Sequence, residues 1–293
     1  MTEPPRIEAN GIDFAYLEAG PTDGPLALCL HGFPDHAPTW QHLMPELAAA
    51  GYHVVAPWLR GYSPTGLAPD DNYQVAALAL DALALADAFA GKRDAVLVGH
   101  DWGAIAAYTA VGHRPERFTR LVTLSVPHQA ALMTRFLNTP AQLKRSWYMF
   151  FFQTPLADLV VPNDDFALID MLWRDWSPGL IPEHSFMRAL KDTLGAPGST
   201  AAAISYYRSM LGTTPGDPEL DDVQAAGNGL VEVPTLYLHG ADDGCMGVEL
   251  VDESELSPFF PAGIEVAIVP SSGHFLHLDQ PEAVNRRILS FLS

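Results

Sequence analysis

The sequence predicts an α/β fold: a doubly wound, mostly parallel central sheet flanked by helices, with a helical cap inserted into it. Three observations predict it. Short apolar runs alternate with helical patterns along most of the chain, as Leu26-Ala27-Leu28-Cys29-Leu30 does with the stretch that follows it. The alternation stops between His128 and Ala226, where aromatic-rich helical patterns are broken by Pro155, Pro162, Pro178, Pro182 and Pro197, and then resumes. Finally, Gly99-His100-Asp101-Trp102-Gly103 joins an apolar run to an alanine-rich helical pattern, with one reactive residue between glycines.

In chain order, Arg6 to Asn10 and Ile12 to Glu18 predict two strands joined at Gly11, and Leu26 to Leu30 a strand buried on both faces. Trp40 to Ala50 predicts a helix, His53 to Ala56 a strand, and Tyr73 to Ala90 a long helix that feeds the strand Asp94 to Val98. After the elbow and its helix, Arg120 to Leu124 predicts a further strand. The cap follows, and Thr213 to Gly229 reads as its return linker. Val233 to Leu238 and Ile264 to Val269 complete the sheet, and Pro281 to Leu292 closes the chain as an amphipathic helix. The division is therefore core over 1–127, cap over 128–226 and core again over 227–293.

Composition sets limits on partners. With 293 residues and 48% hydrophobic side chains, the chain has enough apolar material for a large core plus an inserted cap. A net charge of −19 leaves no basic footprint for nucleic acid or an anionic membrane, so the expected partner is a neutral small molecule. The N-terminus Met1-Thr2-Glu3-Pro4-Pro5-Arg6 lacks the apolar core of a signal peptide, so a cytoplasmic location is expected. Neither Cys29 nor Cys245 needs a disulfide, and neither is expected to join a metal cluster. A homodimer is compatible with all of this.

The elbow is where chemistry is expected. A sharp turn between glycines lifts the Asp101 carboxylate above the sheet, over a helix N-terminus. A carboxylate there can attack a saturated carbon and become esterified, whereas a serine would form an acyl-enzyme. The plain alternative is that Asp101 only caps the next helix. Two further strands end in an acid and a base: His239-Gly240-Ala241-Asp242-Asp243-Gly244 and Ser271-Ser272-Gly273-His274. Asp243, three residues past Gly240, has room to turn back over the sheet edge, with Asp242 its rival; His277 is the rival of His274. The order nucleophile, acid, base, each at a different strand end, is that of one known triad arrangement.

With His31-Gly32-Phe33-Pro34 added to these motifs, the chain resembles the α/β-hydrolase family and, within it, the epoxide hydrolases of the soluble and microbial type. The resemblance covers essentially the whole chain. It extends to two cap tyrosines: Tyr148, five residues before Gln153, and Tyr207 in Tyr206-Tyr207-Arg208, where Tyr206 is the rival. Asp35 stands where relatives often carry glutamate, and Ser63 where glycine is common.

The resemblance implies that Asp101 attacks an epoxide carbon while Tyr148 and Tyr207 assist the departing oxygen. His274, backed by Asp243, then activates water against the ester, and the Phe33 and Trp102 N–H groups receive the oxyanion. No cofactor and no metal are implied. The expected substrate is an apolar epoxide, with water as co-substrate and a pocket drawn from Phe33, Trp102, Trp147, Phe151 and Phe275; Phe150, Trp173, Trp176 and Phe186 are further candidates. Two other readings stay open. A haloalkane dehalogenase would share Asp101 and use the Trp102 indole to hold halide, but Phe33 offers no second side-chain donor. A non-catalytic receptor on the same fold would not need a complete nucleophile, acid and base.

Overall fold

The computed structural model describes residues 3–91 and 94–293, so Met1 and Thr2 of the N-terminal segment lie outside the described residues. Eight strands form one sheet: β1 (Arg6–Ala9), β2 (Ile12–Ala19), β3 (Leu26–Leu30), β4 (His53–Pro57), β5 (Ala95–His100), β6 (Arg120–Leu124), β7 (Thr235–Gly240) and β8 (Ile264–Val269). Their order is β1-β2-β4-β3-β5-β6-β7-β8. The β1–β2 and β2–β4 pairs are antiparallel, and every later pair is parallel. β3, β4 and β5 are buried along their whole length, as continuous apolar runs covered on both faces must be.

The helices are α1 (Leu43–Ala49), α2 (Val75–Ala90), α3 (Trp102–His113), α4 (Gln129–Asn138), α5 (Pro140–Arg145), α6 (Trp147–Phe151), α7 (Ala157–Val160), α8 (Asn163–Trp176), α9 (His184–Gly195), α10 (Ser199–Met210), α11 (Asp221–Ala226), α12 (Glu253–Leu256), α13 (Leu276–Asp279) and α14 (Pro281–Leu292). Among the described residues no strand lies between β6 and β7. None of the described helices is long and apolar enough to cross a membrane.

Three of the differences from expectation have a local reason. The helix expected over Trp40 to Ala50 divides into a 3-10 turn, Ala37–His42, and α1. β7 begins at Thr235 because Pro234 has no N–H to give the ladder, and it runs on through His239 and Gly240. The expected return linker contains α11, which packs against α2 and α3 of the core.

The helices between β6 and β7 are tied to the loops that carry the motifs. The Trp173 indole N–H donates to the Pro34 carbonyl at 2.7 Å. At the end of α8, the Trp176 carbonyl accepts from the N–H of Gly244 at 3.1 Å and of His274 at 2.9 Å. Ser177 Oγ accepts from the Phe275 N–H at 3.0 Å. One helix end thus holds three loops at the C-terminal edge of the sheet.

Candidate active site

Asp101 sits between β5 and α3 with φ 53° and ψ −117°, a backbone state that non-glycine residues rarely adopt. The flanking glycines are required by close approach. A Cβ on Gly99 would lie 2.3 Å from the Gly103 carbonyl oxygen, and one on Gly103 would lie 2.1 Å from that of Leu30. Asp101 holds the N-cap position of α3, but its side chain makes no capping bond. The carboxylate is turned the other way: Oδ1 accepts from the Phe33 N–H at 2.7 Å, and Oδ2 lies 3.5 Å from His274 Nε2. Trp102 opens α3, where first-turn N–H groups have no partner within the helix. The Phe33–Pro34 peptide is cis. His31 braces the same turn: its Nδ1–H donates to the Gly32 carbonyl at 2.9 Å, and Nε2 accepts from the Leu59 N–H at 3.0 Å.

Of the two candidate acids, Asp243 is the one beside His274. Its Oδ2 accepts from His274 Nδ1 at 2.9 Å, while Oδ1 accepts from the N–H groups of Cys245 at 2.7 Å and Met246 at 2.8 Å. Asp242 is exposed. Of the competing bases, His277 is spent on Thr39 Oγ1 at 2.6 Å and stacks on Trp40, and burial pushes its pKa well below the usual range. His274 is fully buried, which alone would lower its pKa. Cys245 and the carboxylates Asp243 and Asp101 outweigh burial and hold it well above the ordinary histidine value.

Two phenols from the helices between β6 and β7 lie close enough to Asp101 for its charge to act on both. Tyr148 Oη is 3.4 Å from Cys245 Sγ, and Tyr207 Oη is buried without a hydrogen-bond partner. Their rings meet edge to face at 5.6 Å. Burial, then neighbouring anionic groups, raises both phenols well above their ordinary pKa, so both keep their protons. Tyr206, the neighbour of Tyr207, faces elsewhere: its Oη donates to the Arg60 carbonyl at 2.8 Å. One helical position separates a free phenol from a structural one.

The aromatic lining differs from expectation in register. Trp147 is 40% exposed, and Phe151 is half-buried with ring contacts to Trp147 and Phe152. Phe152 and Trp176 take the central places. Phe152 contacts Phe33 at 5.4 Å, Tyr148 at 5.7 Å and Tyr207 at 5.2 Å; Trp176 contacts Tyr148 at 4.9 Å and His274 at 5.2 Å. The missed signal was spacing: Phe152 is four residues past Tyr148 and shares its helical face, while Trp147 and Phe151 share another. Phe33 and Trp102 are buried beside Tyr207, at 5.3 and 4.9 Å. Phe275 stacks on Trp173 at 3.7 Å and backs His274. Phe186 packs on Trp173 and His36, while Phe150 is exposed.

Cys245, which was expected to join no ligating cluster, lies beside Asp243 and His274. The turn after β7 is responsible, since Asp243 draws in the Cys245 N–H. Beneath the elbow, Asp35, His100 and His277 form a second compact buried group.

The sequence profile of the alpha/beta hydrolase fold matches residues 25–281. The chain belongs to the α/β-hydrolase family. This α/β hydrolase is 33% identical to Epoxide hydrolase 3 of Xenopus tropicalis, over 98% of the chain and 76% of that relative. It is 31% identical to Epoxide hydrolase 4 of Homo sapiens, over 98% of the chain and 77% of the relative. The solved structure of Bacillus megaterium epoxide hydrolase in complex with an inhibitor superposes on it with a TM-score of 0.84. Identity there is 26%, over 98% of this chain and 99% of the other.

Proposed function

We propose that this α/β hydrolase opens an apolar epoxide to a vicinal diol through a covalent ester on Asp101. One observation carries the reading: two protonated phenols lie close enough to Asp101 to feel its charge, and the oxygens of that carboxylate divide between the Phe33 N–H and the His274–Asp243 pair. The epoxide hydrolases among the relatives support it.

Asp101 Oδ2, the oxygen not tied to Phe33, attacks one ring carbon. The C–O bond opposite it breaks, and Tyr148 and Tyr207 hydrogen-bond the oxygen as alkoxide charge develops, one of them delivering a proton. Halide leaves as a stable anion and needs no such donor, so the phenol pair favours an epoxide. Esterification removes one of the negative charges that hold the proton on His274. The imidazole then gives its Nε2 proton up to the phenolate that ring opening left, and becomes the free base that the next step requires, still oriented by Asp243. It takes a proton from water, which attacks the ester carbonyl carbon. The oxyanion develops on Oδ1, where the Phe33 N–H already points, and the Trp102 N–H is the second donor. Phe33, Phe152, Trp102 and Trp176 make an apolar lining that suits a lipophilic substrate.

The test is a single turnover in ¹⁸O-water with excess enzyme. The first diol formed is expected to carry unlabelled oxygen from Asp101. Solvent label in that first product would mean direct attack by water and would overturn the covalent route.

A further inference from the structure

His274 is fixed through its backbone as well as through its ring. Its carbonyl accepts from two fully buried side chains, Ser125 Oγ–H at 2.6 Å and His100 Nε2–H at 3.0 Å, and its N–H donates to the Trp176 carbonyl at 2.9 Å. The ends of β5, β6 and α8 therefore meet on one residue of the loop after β8. Neither Ser125 nor His100 takes part in the chemistry above.

Two features set these bonds apart from ordinary loop contacts. Ser125 has φ 69°, a left-handed backbone state that glycine adopts without steric cost, yet a side chain is present there and it is the one that reaches His274. His100 spends Nε2 on the same carbonyl, and its Nδ1 is buried without a partner. A carbonyl can only accept, so Nε2 carries the proton, and burial, which lowers the His100 pKa to about 3, keeps the ring neutral in that form at neutral pH. Because His100 directly precedes Asp101, its hydrogen bond ties the strand of the nucleophile to the loop of the base. Asp101 Oδ2 and His274 Nε2 lie 3.5 Å apart across that tie.

We propose that Ser125 and His100 are positioning residues for the second half of the reaction, holding the His274 carbonyl so that Nε2 stays aligned with the water that attacks the Asp101 ester. General-base help depends on Nε2 standing at hydrogen-bond distance from that water while the water faces the ester carbon, and small displacements are costly. Ring opening relies on Asp101 and the two phenols, so it is less sensitive to where His274 sits. The role in ester hydrolysis rests on the epoxide reading; the anchoring of His274 does not.

The experiment follows a single turnover by rapid quench and intact-mass spectrometry, which separates formation of the Asp101 ester from its decay. Ser125→Ala and Ser125→Gly both remove the hydroxyl, and only glycine also relaxes the backbone. Each should slow ester decay by about ten- to a hundredfold and formation far less, so the ester accumulates and kcat and KM fall together. His100→Ala should behave alike, and His100→Gln, whose amide nitrogen can reach the same carbonyl, should restore most of the rate. Formation and decay slowed equally, decay unchanged in either Ser125 variant, or His100→Gln no better than His100→Ala would overturn the proposal. A substrate-free readout is the low-field proton resonance of His274 Nδ1–H, which is bonded to Asp243. It should shift in Ser125→Gly and His100→Ala, and a resonance unmoved in both would equally overturn the positioning. If the parent forms no ester while the resonance shifts as expected, the positioning stands and the epoxide reading fails.

Discussion

Replacing Tyr207 with phenylalanine should make the protein more stable and a poorer catalyst at once. The Tyr207 hydroxyl is buried and has no partner, whereas the ring keeps its contacts with Trp102, Phe33 and Phe152. A buried hydroxyl without a hydrogen bond is unfavourable by about 1–3 kcal/mol, so its removal should gain on the order of 1 kcal/mol, about 2 °C in Tm for a chain of this size. On the proposed route the same hydroxyl donates to the developing alkoxide, and its loss should then slow ring opening by about ten- to a thousandfold. Tyr206→Phe is the matched control. It removes the bond to the Arg60 carbonyl and should lower stability by about 1–2 kcal/mol with little change in the rate of ring opening. Tyr148→Phe loses only a long contact with sulfur, so stability should hardly move while ring opening slows as for Tyr207→Phe. Denaturant unfolding and single-turnover kinetics on the three variants read both axes. A Tyr207→Phe protein that is destabilised but fully active, with the activity lost in Tyr206→Phe, would refute the assignment.

Two other predictions address the base and the buried histidines. His274→Ala should form the Asp101 ester and stall, so intact-mass spectrometry should find one substrate mass added; a folded protein without an adduct would mean that His274 acts before the ester forms. Stability should fall on both sides of a maximum near neutral pH. Burial lowers His31 to about 4 and His100 to about 3, so between those values and the unfolded pKa of about 6.5 the unfolded chain binds more protons. Each of the two therefore removes up to about 1.4 kcal/mol per pH unit as pH falls through that window. His274 has the opposite sign: its raised pKa adds stability that is complete below about 6.5 and is lost as pH rises through the folded value. Urea midpoints measured from pH 4 to 9 check both limbs, and a flat acid limb would contradict the burial of His31 and His100 as neutral groups.

How far the sequence alone reaches follows from the range of the interactions involved. The parallel sheet, the helical insertion and the elbow were legible because each depends on neighbours in the chain: apolar runs of strand length, prolines, and two glycines that the close approach of backbone at Gly99 and Gly103 demands. The strand ends also put the loops of Asp243 and His274 at one sheet edge, where the two side chains meet at 2.9 Å. What only the tertiary structure decided is which member of each close pair faces the centre. Tyr206 and Tyr207 are chemically identical and adjacent; the Arg60 carbonyl takes one hydroxyl and leaves the other free. Phe151 and Phe152 are likewise separated only by the rotation of α6 against the core. Cys245 enters the site because Asp243 Oδ1 draws in its N–H and Gln142, 103 residues earlier in the chain, takes its carbonyl. Contacts of that range leave no periodicity in the sequence, because burial and hydrogen bonding at those positions are set by whatever surface the folded chain brings against them.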